Sequence, residues 1–151
     1  GGNSGSQSTS LIIRAMALKE VLLRDWWRVV VRELPTGVLL GTMLGAIGFC
    51  RILLWQFLAL RHWSVLGFGA GQGYGEHYFL LATTVFLALI GVVTFGSLAG
   101  SMLPFFLRKL RLDPASASAP FVATLVDVTG LVIYFVVASL LLHNTLLKAA
   151  V

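Results

Sequence analysis

The chain reads as an all-α, polytopic transmembrane helix bundle, and three observations predict that class. Of its 151 residues, 58% are hydrophobic and only 11% are charged, too little charge for a soluble domain of this size. Mean hydropathy is +0.91. Uncharged runs of about 20 residues recur, the length a helix needs to cross a hydrocarbon core about 30 Å thick. Strands of a membrane barrel would instead alternate every second residue. The net charge of +5 flanks the apolar runs, where membrane orientation accounts for it, so no nucleic-acid partner is expected. Cys50, the single cysteine, cannot form an internal disulfide and says nothing about compartment. The chain opens on a polar tract without an initiator Met or signal peptide, as expected of a piece of a longer protein.

The opening GGNSGSQSTSLIIRAMALKE permits two readings. Its glycines and serines suit a flexible linker. As a helix over residues 1–18, however, it would gather Asn3 with Gln7 and Ser6 with Ser10 on one side, four residues apart. Inside a membrane such a face is tolerated only against other helices or a water-filled path. Next, KEVLLRDWWRVVVRE is amphipathic. Arg24, Arg28 and Arg32 recur every four residues, and Trp26 with Trp27 suits an interfacial belt. These features predict a surface-lying helix over 20–33 that contacts lipid headgroups. A span over 34–57 follows, with the apolar run carrying on past Arg51 to Leu60 and Gly37, Gly41 and Gly45 at four-residue spacing for close packing.

HWSVLGFGAGQGYGEH, from His62 to His77, reads as a loop, since its glycines lack the strand-turn-helix setting of a nucleotide loop. His62, Glu76 and His77 are a weak metal candidate. Residues 78–107 form the next span, with Gly96 and Gly100 as a second small-residue pair and Arg108, Lys109 and Arg111 behind it. The last span, 115–142, carries one charge near its middle, Asp127. An aspartate there costs at least about 2.5 kcal/mol to insert. Helical spacing groups it with Ala119, Pro120, Ala123, Thr124, Gly130 and Tyr134, a small and weakly polar face. Such a face predicts a carboxylate aimed into a protein cavity or ion path; pairing with a buried polar group on a neighbouring helix is the plainer alternative.

Eight cations lie on one side of these spans (Arg14, Lys19, Arg24, Arg28, Arg32, Arg108, Lys109 and Arg111), and Arg51, Arg61 and Lys148 on the other. The positive-inside rule puts the eight in the cytoplasm and the C-terminus outside a plasma or inner membrane.

GGNSGSQ with STSLIIRAMALKEV at one end, and LDPASASAPFVATLVDVTGLVIYF at the other, resemble the signature of the MgtE family of magnesium transporters. The two motifs occur in the family's order, and the run between them fits its intervening helices. This resemblance implies a homodimer with five helices per subunit, whose second and fifth helices line one pore on the two-fold axis. It implies that Asp127 is the pore aspartate holding Mg²⁺, the transported ion, and that Asn3 belongs to the pore-side motif of the second helix. Gln7, Ala119, Pro120, Ala123, Thr124 and Gly130 are then expected to line the pore. Ala119 stands where some relatives carry a polar amide, so it would contribute through its backbone. The family's first helix, the start of its second, its plug helix and its cytoplasmic domains are expected to be missing. Few carboxylates with amides and hydroxyls nearby suit a cation that sheds water reluctantly, and they are a poor site for copper or zinc.

Two other readings come from different classes. Gly2-Asn3-Ser4-Gly5 fits the GxSG pattern around the nucleophile of rhomboid intramembrane proteases, which would require a histidine base within reach of Ser4. His143 is the only histidine on a later span, near its outer end. A non-transporting membrane scaffold is the third. The expectation is a transporter with no enzymatic activity.

Overall fold

Helix α1, Gly2–Ala17, runs through the Gly/Ser tract. Glycine and serine are poor helix formers, so the helix is held by what it packs against. Gly2, Gly5, Thr9, Ile12 and Met16 recur every three or four residues and are all buried. The computed structural model describes residues 1–60, 73–116 and 119–143. Within them a short 3₁₀ turn, Leu23–Asp25, leads into α2, Trp26–Leu60; α3 is Tyr78–Lys109, a second 3₁₀ turn spans Pro114–Ser116, and α4 is Ala119–Leu142. Helices α2, α3 and α4 are each long and apolar enough to cross a membrane.

The surface helix expected over 20–33 is not a separate element. Residues 26–33 are the first turns of α2, and Pro35 lies inside the helix. Proline withholds an N–H from the carbonyl four residues earlier and is usually disruptive. Here no glycine or turn residue stands between Trp26 and Leu34, and the Thr36 hydroxyl donates to the Arg32 carbonyl at 3.1 Å beside the break. Helix α2 has 35 residues, about 52 Å at 1.5 Å per residue. That exceeds the bilayer core, so the exposed Trp26, Trp27, Arg28 and Arg32 are carried at a projecting end.

Contacts at the glycines give the helix directions. A Cβ on Gly37 would meet Thr94, one on Gly41 would meet Ile90, and one on Gly45 would meet Phe86. Four residues forward on α2 are four back on α3, so the pair is antiparallel. Gly5 meets the Gly96 carbonyl, while Thr9 reaches that of Gly100, so α1 and α3 run parallel. Gly96 faces Val126 and Gly91 faces Ile133, which sets α4 antiparallel to α3. Two small cores result: Ile12, Met16 and Phe105 near one end, with Val21 and Val29 against them, and Val122 with Val126 under Phe95 and Leu103.

Because α1 and α3 are parallel, Arg14, Lys19, Arg108, Lys109 and Arg111 gather at one end with the start of α2. Both helices finish in a Schellman motif. Glu20 N–H donates to the Ala15 carbonyl and Leu112 N–H to that of Leu107, each at 2.9 Å. The left-handed residue, where glycine is usual, is Lys19 at φ 59° and Arg111 at φ 60°, a strain of roughly 1–2 kcal/mol each.

Pro104, inside α3, has no N–H to give the Gly100 carbonyl. The buried Thr9 hydroxyl takes that place, 2.7 Å from Gly100 O. Its other neighbour, Gly5 O, is longer at 2.9 Å and already accepts the helical N–H of Thr9. Thr9→Val keeps the shape and orphans a buried carbonyl, so we expect a loss of about 1–3 kcal/mol in thermal unfolding of the purified protein. In a Pro104→Ala background the missing N–H returns and the loss should at least halve. Equal losses in both backgrounds would rule this account out.

Candidate functional site

The spacing of polar groups along α1 divides it into two faces. Toward α3, Ser4 and Ser97 share a hydroxyl hydrogen bond of 2.7 Å, and toward α2 the Ser8 hydroxyl donates to Glu33 Oε2 at 3.1 Å. Away from the bundle, Asn3, Gln7 and Ser10 are exposed. The Ser6 and Ser10 hydroxyls donate to the carbonyls of Asn3 and Ser6. They stay on their own helix, with no bond across the bundle among the described residues.

Helix α4 brings Asp127 beside the first turn of α1. The Gly2 N–H donates to Asp127 Oδ1 at 3.2 Å. Approach is close because Gly2 lacks a Cβ, which would stand 2.6 Å from that oxygen and 3.0 Å from the Ala123 carbonyl. The carboxylate is otherwise exposed, as are Pro120 and Thr124, while Ala119 and Ala123 are half-buried. Thr124 donates its hydroxyl to the Pro120 carbonyl at 3.0 Å. Asn3, Gln7, Thr124 and Asp127 thus form an uncovered polar strip along two adjacent helices, with no ion pair to Asp127 among the described residues.

Gly130 departs from the expected face. It is buried, and a Cβ there would lie 3.0 Å from Val92 Cγ1. Each residue turns a helix by about 100°, so Gly130 sits about 60° from Asp127, on the side of the buried Val126. It packs α4 on α3 and leaves the open face to Pro120, Thr124 and Asp127.

The other candidate groups do not assemble. His62 lies outside the described residues, as do Arg61 and Lys148. Glu76 and His77 are exposed, and no cluster of three metal-ligating side chains occurs among the described residues. Ser4 is engaged by Ser97, at the level of mid-α3. His77, at the start of α3, is 20 residues from Ser97, about 30 Å along the axis. His143 is 16 residues beyond Asp127, about 24 Å from the level of Gly2. Neither is within reach of Ser4 as a base.

Sequence reasoning missed Thr9, Ser8 and Ser97 as inter-helix contacts. Pro104 was a signal for the first: the carbonyl four residues before a helical proline needs another donor. Nothing comparable marks the other two.

Residues 1–137 match the MgtE family, described as a divalent cation transporter. The chain is 45% identical over 95% of its length to the magnesium transporter MgtE of Thermus thermophilus. It is 32% identical over 95% to that of Bacillus subtilis, and 33% over 94% to that of Enterococcus faecalis. In each case it spans 27% of the relative's length.

Proposed function

Given that this chain belongs to the MgtE family of divalent cation transporters, we propose that two copies enclose a pore for hydrated Mg²⁺ along the strip of Asn3, Gln7, Thr124 and Asp127. The observation that carries this reading is the strip itself. Amides, a hydroxyl and a carboxylate are exposed on helices bundled with three membrane spans. Lipid cannot satisfy such groups, and a carboxylate in a span normally faces protein or water. A second copy placing the same strip opposite would give water and ion a path. Pro120, Ala119 and Ala123 then line it as small residues that leave room for a hydration shell, and Gly130 supports it from behind.

Family membership and the positions of His77 and His143 both stand against hydrolytic chemistry at Ser4. The gathering of eight cations at the end shared by α1, α3 and the start of α2 supports a cytoplasmic location for that end. Helix α4 then runs outward, with the C-terminus outside.

Two measurements test the reading. The exposed Cys50 is first replaced by Ser, and single cysteines are placed at Thr124 and Leu131 on the open side of α4. Crosslinking in membranes is expected to give a dimer from these and only monomer from a cysteine at the buried Val122. Monomer throughout would end the two-copy pore. Mg²⁺ uptake into liposomes carrying the protein is expected above that of empty liposomes, and a dimer without uptake would favour the scaffold.

A further inference from the structure

At the basic end of the bundle a cavity of about 470 Å³ opens between the last turns of α1 and α3 and the 3₁₀ turn Pro114–Ser116, within the size range of ligand pockets. Its α1 wall is apolar, formed by Ile13, Met16 and Ala17, and Lys19 and Arg108 also line it. We propose that this cavity binds the phosphate of an anionic membrane phospholipid, with Lys19 and Arg108 on the phosphate and the glycerol and upper acyl chain on Ile13, Met16 and Ala17.

Four observations converge on that ligand. First, the only ion pair within 4.0 Å among the described residues joins Arg28 to Asp25, so neither cavity cation is neutralised there. The cavity's single acid, Asp113, is outnumbered by the two cations, and its Oδ1 accepts the Ala115 N–H of its own turn at 2.9 Å. Second, the end as a whole is positive. Eight cations stand against four acids, Glu20, Asp25, Glu33 and Asp113, a net charge of +4. Basic pockets between membrane helices at the cytoplasmic interface suit anionic headgroups.

Third, the cavity lies at interfacial depth. Trp26 and Trp27, exposed and edge-to-face at 5.4 Å, start α2 at the same end, where aromatic residues anchor to headgroups. Fourth, the ligand must be amphiphilic. Two cations alone would serve a free phosphate, but most of the wall is apolar, with Pro114 and Ala115 beside the three α1 residues, and the same turns of α1 expose Leu11 and Leu18.

Native mass spectrometry of the purified protein titrated with phosphatidylglycerol tests the site. Lys19→Gly with Arg108→Gln removes both cavity charges, and the glycine suits the left-handed cap. Arg24→Gln with Arg28→Gln removes the same charge from the same end, away from the cavity. Bound phosphatidylglycerol is expected to fall at least fivefold in the first variant and less than twofold in the second. Equal losses in the two variants, or none in the first, would overturn the site. Displacement of the lipid by millimolar inorganic phosphate would assign the cavity to a free anion and overturn the lipid. Lys19→Gly alone, with unfolding temperature unchanged or raised, is expected to lose about threefold; a folded single variant with full retention would also refute the proposal.

Discussion

Asp127→Asn is expected to reduce Mg²⁺ uptake at least about a hundredfold while the protein folds and pairs normally. Asparagine keeps the size of the side chain and an oxygen to accept the Gly2 N–H, which stands 3.2 Å from Asp127 Oδ1, so the α1–α4 contact survives. What is lost is charge. At about 5 Å and an effective dielectric of about 20, one carboxylate attracts a divalent ion by about 7 kcal/mol and a monovalent one by about 3 kcal/mol, before desolvation. Losing even half of the larger figure exceeds the roughly 2.8 kcal/mol that corresponds to a hundredfold. If Mg²⁺ keeps its inner waters, a metal–water distance of about 2.1 Å plus a water–carboxylate hydrogen bond of about 2.7 Å puts the oxygen roughly 4–5 Å from the ion. Two Asp127 groups would then face each other roughly 8–10 Å apart across the axis. Uptake near the wild-type rate in Asp127→Asn would refute the charge role. A resolved ion about 2.1 Å from the carboxylates would refute the hydrated form.

A large effect on stability is expected at Gly41, the middle glycine of the α2 series. A Cβ there would stand 2.7 Å from Ile90 Cα and 3.1 Å from its carbonyl; both belong to backbone that cannot move without separating α2 from α3. Gly41→Leu is expected to cost about 3 kcal/mol or more, at or above the upper end of overpacking penalties, and to reduce the yield of folded protein. Gly48 is the internal comparison. Its Cβ would meet only side-chain atoms, Val85 Cγ1 at 3.2 Å and Leu89 Cδ1 at 3.3 Å. These can shift, and alanine gains up to about 1 kcal/mol of helix propensity over glycine. Gly48→Ala should therefore change stability by less than about 1 kcal/mol, whereas Gly41→Ala should already destabilise. Similar melting temperatures for the two alanine variants would mean that the series does not set the helix separation.

The helices, the Gly37–Gly41–Gly45 spacing and the lone Asp127 were legible in the sequence, because apolar runs and helical periodicity are local properties. The continuity of α2 through Pro35 was not. Proline weighs heavily in a local reading, yet Pro35 withholds an N–H only from the Val31 carbonyl, and with no turn residue between Trp26 and Leu34 the helix proceeds. The face of Asp127 was legible only as an arc. Spacing placed Gly130 and Thr124 equally near it, since one lies about 60° to each side; only the position of α3, against Val122, Val126 and Gly130, decides which side is covered. The polar tract at Gly2–Ser10 was ambiguous for the same reason. Its helix is made by Gly96, Ser97 and Gly100, some 90 residues away in sequence.

The exchange at Gly100 has a consequence for biogenesis. Without α1, α3 would enter the membrane with an unpaired carbonyl, because Pro104 cannot supply the N–H and a hydrocarbon surround offers no water in its place. Translation proceeds from the N-terminus, so Thr9 emerges before Gly100 and its hydroxyl is already at hand when α3 is made. Order of synthesis thus matches order of need. A circularly permuted chain that places α1 after α4 is expected to reach the same final fold with more of its newly made molecules lost to degradation, and Pro104→Ala should recover that loss.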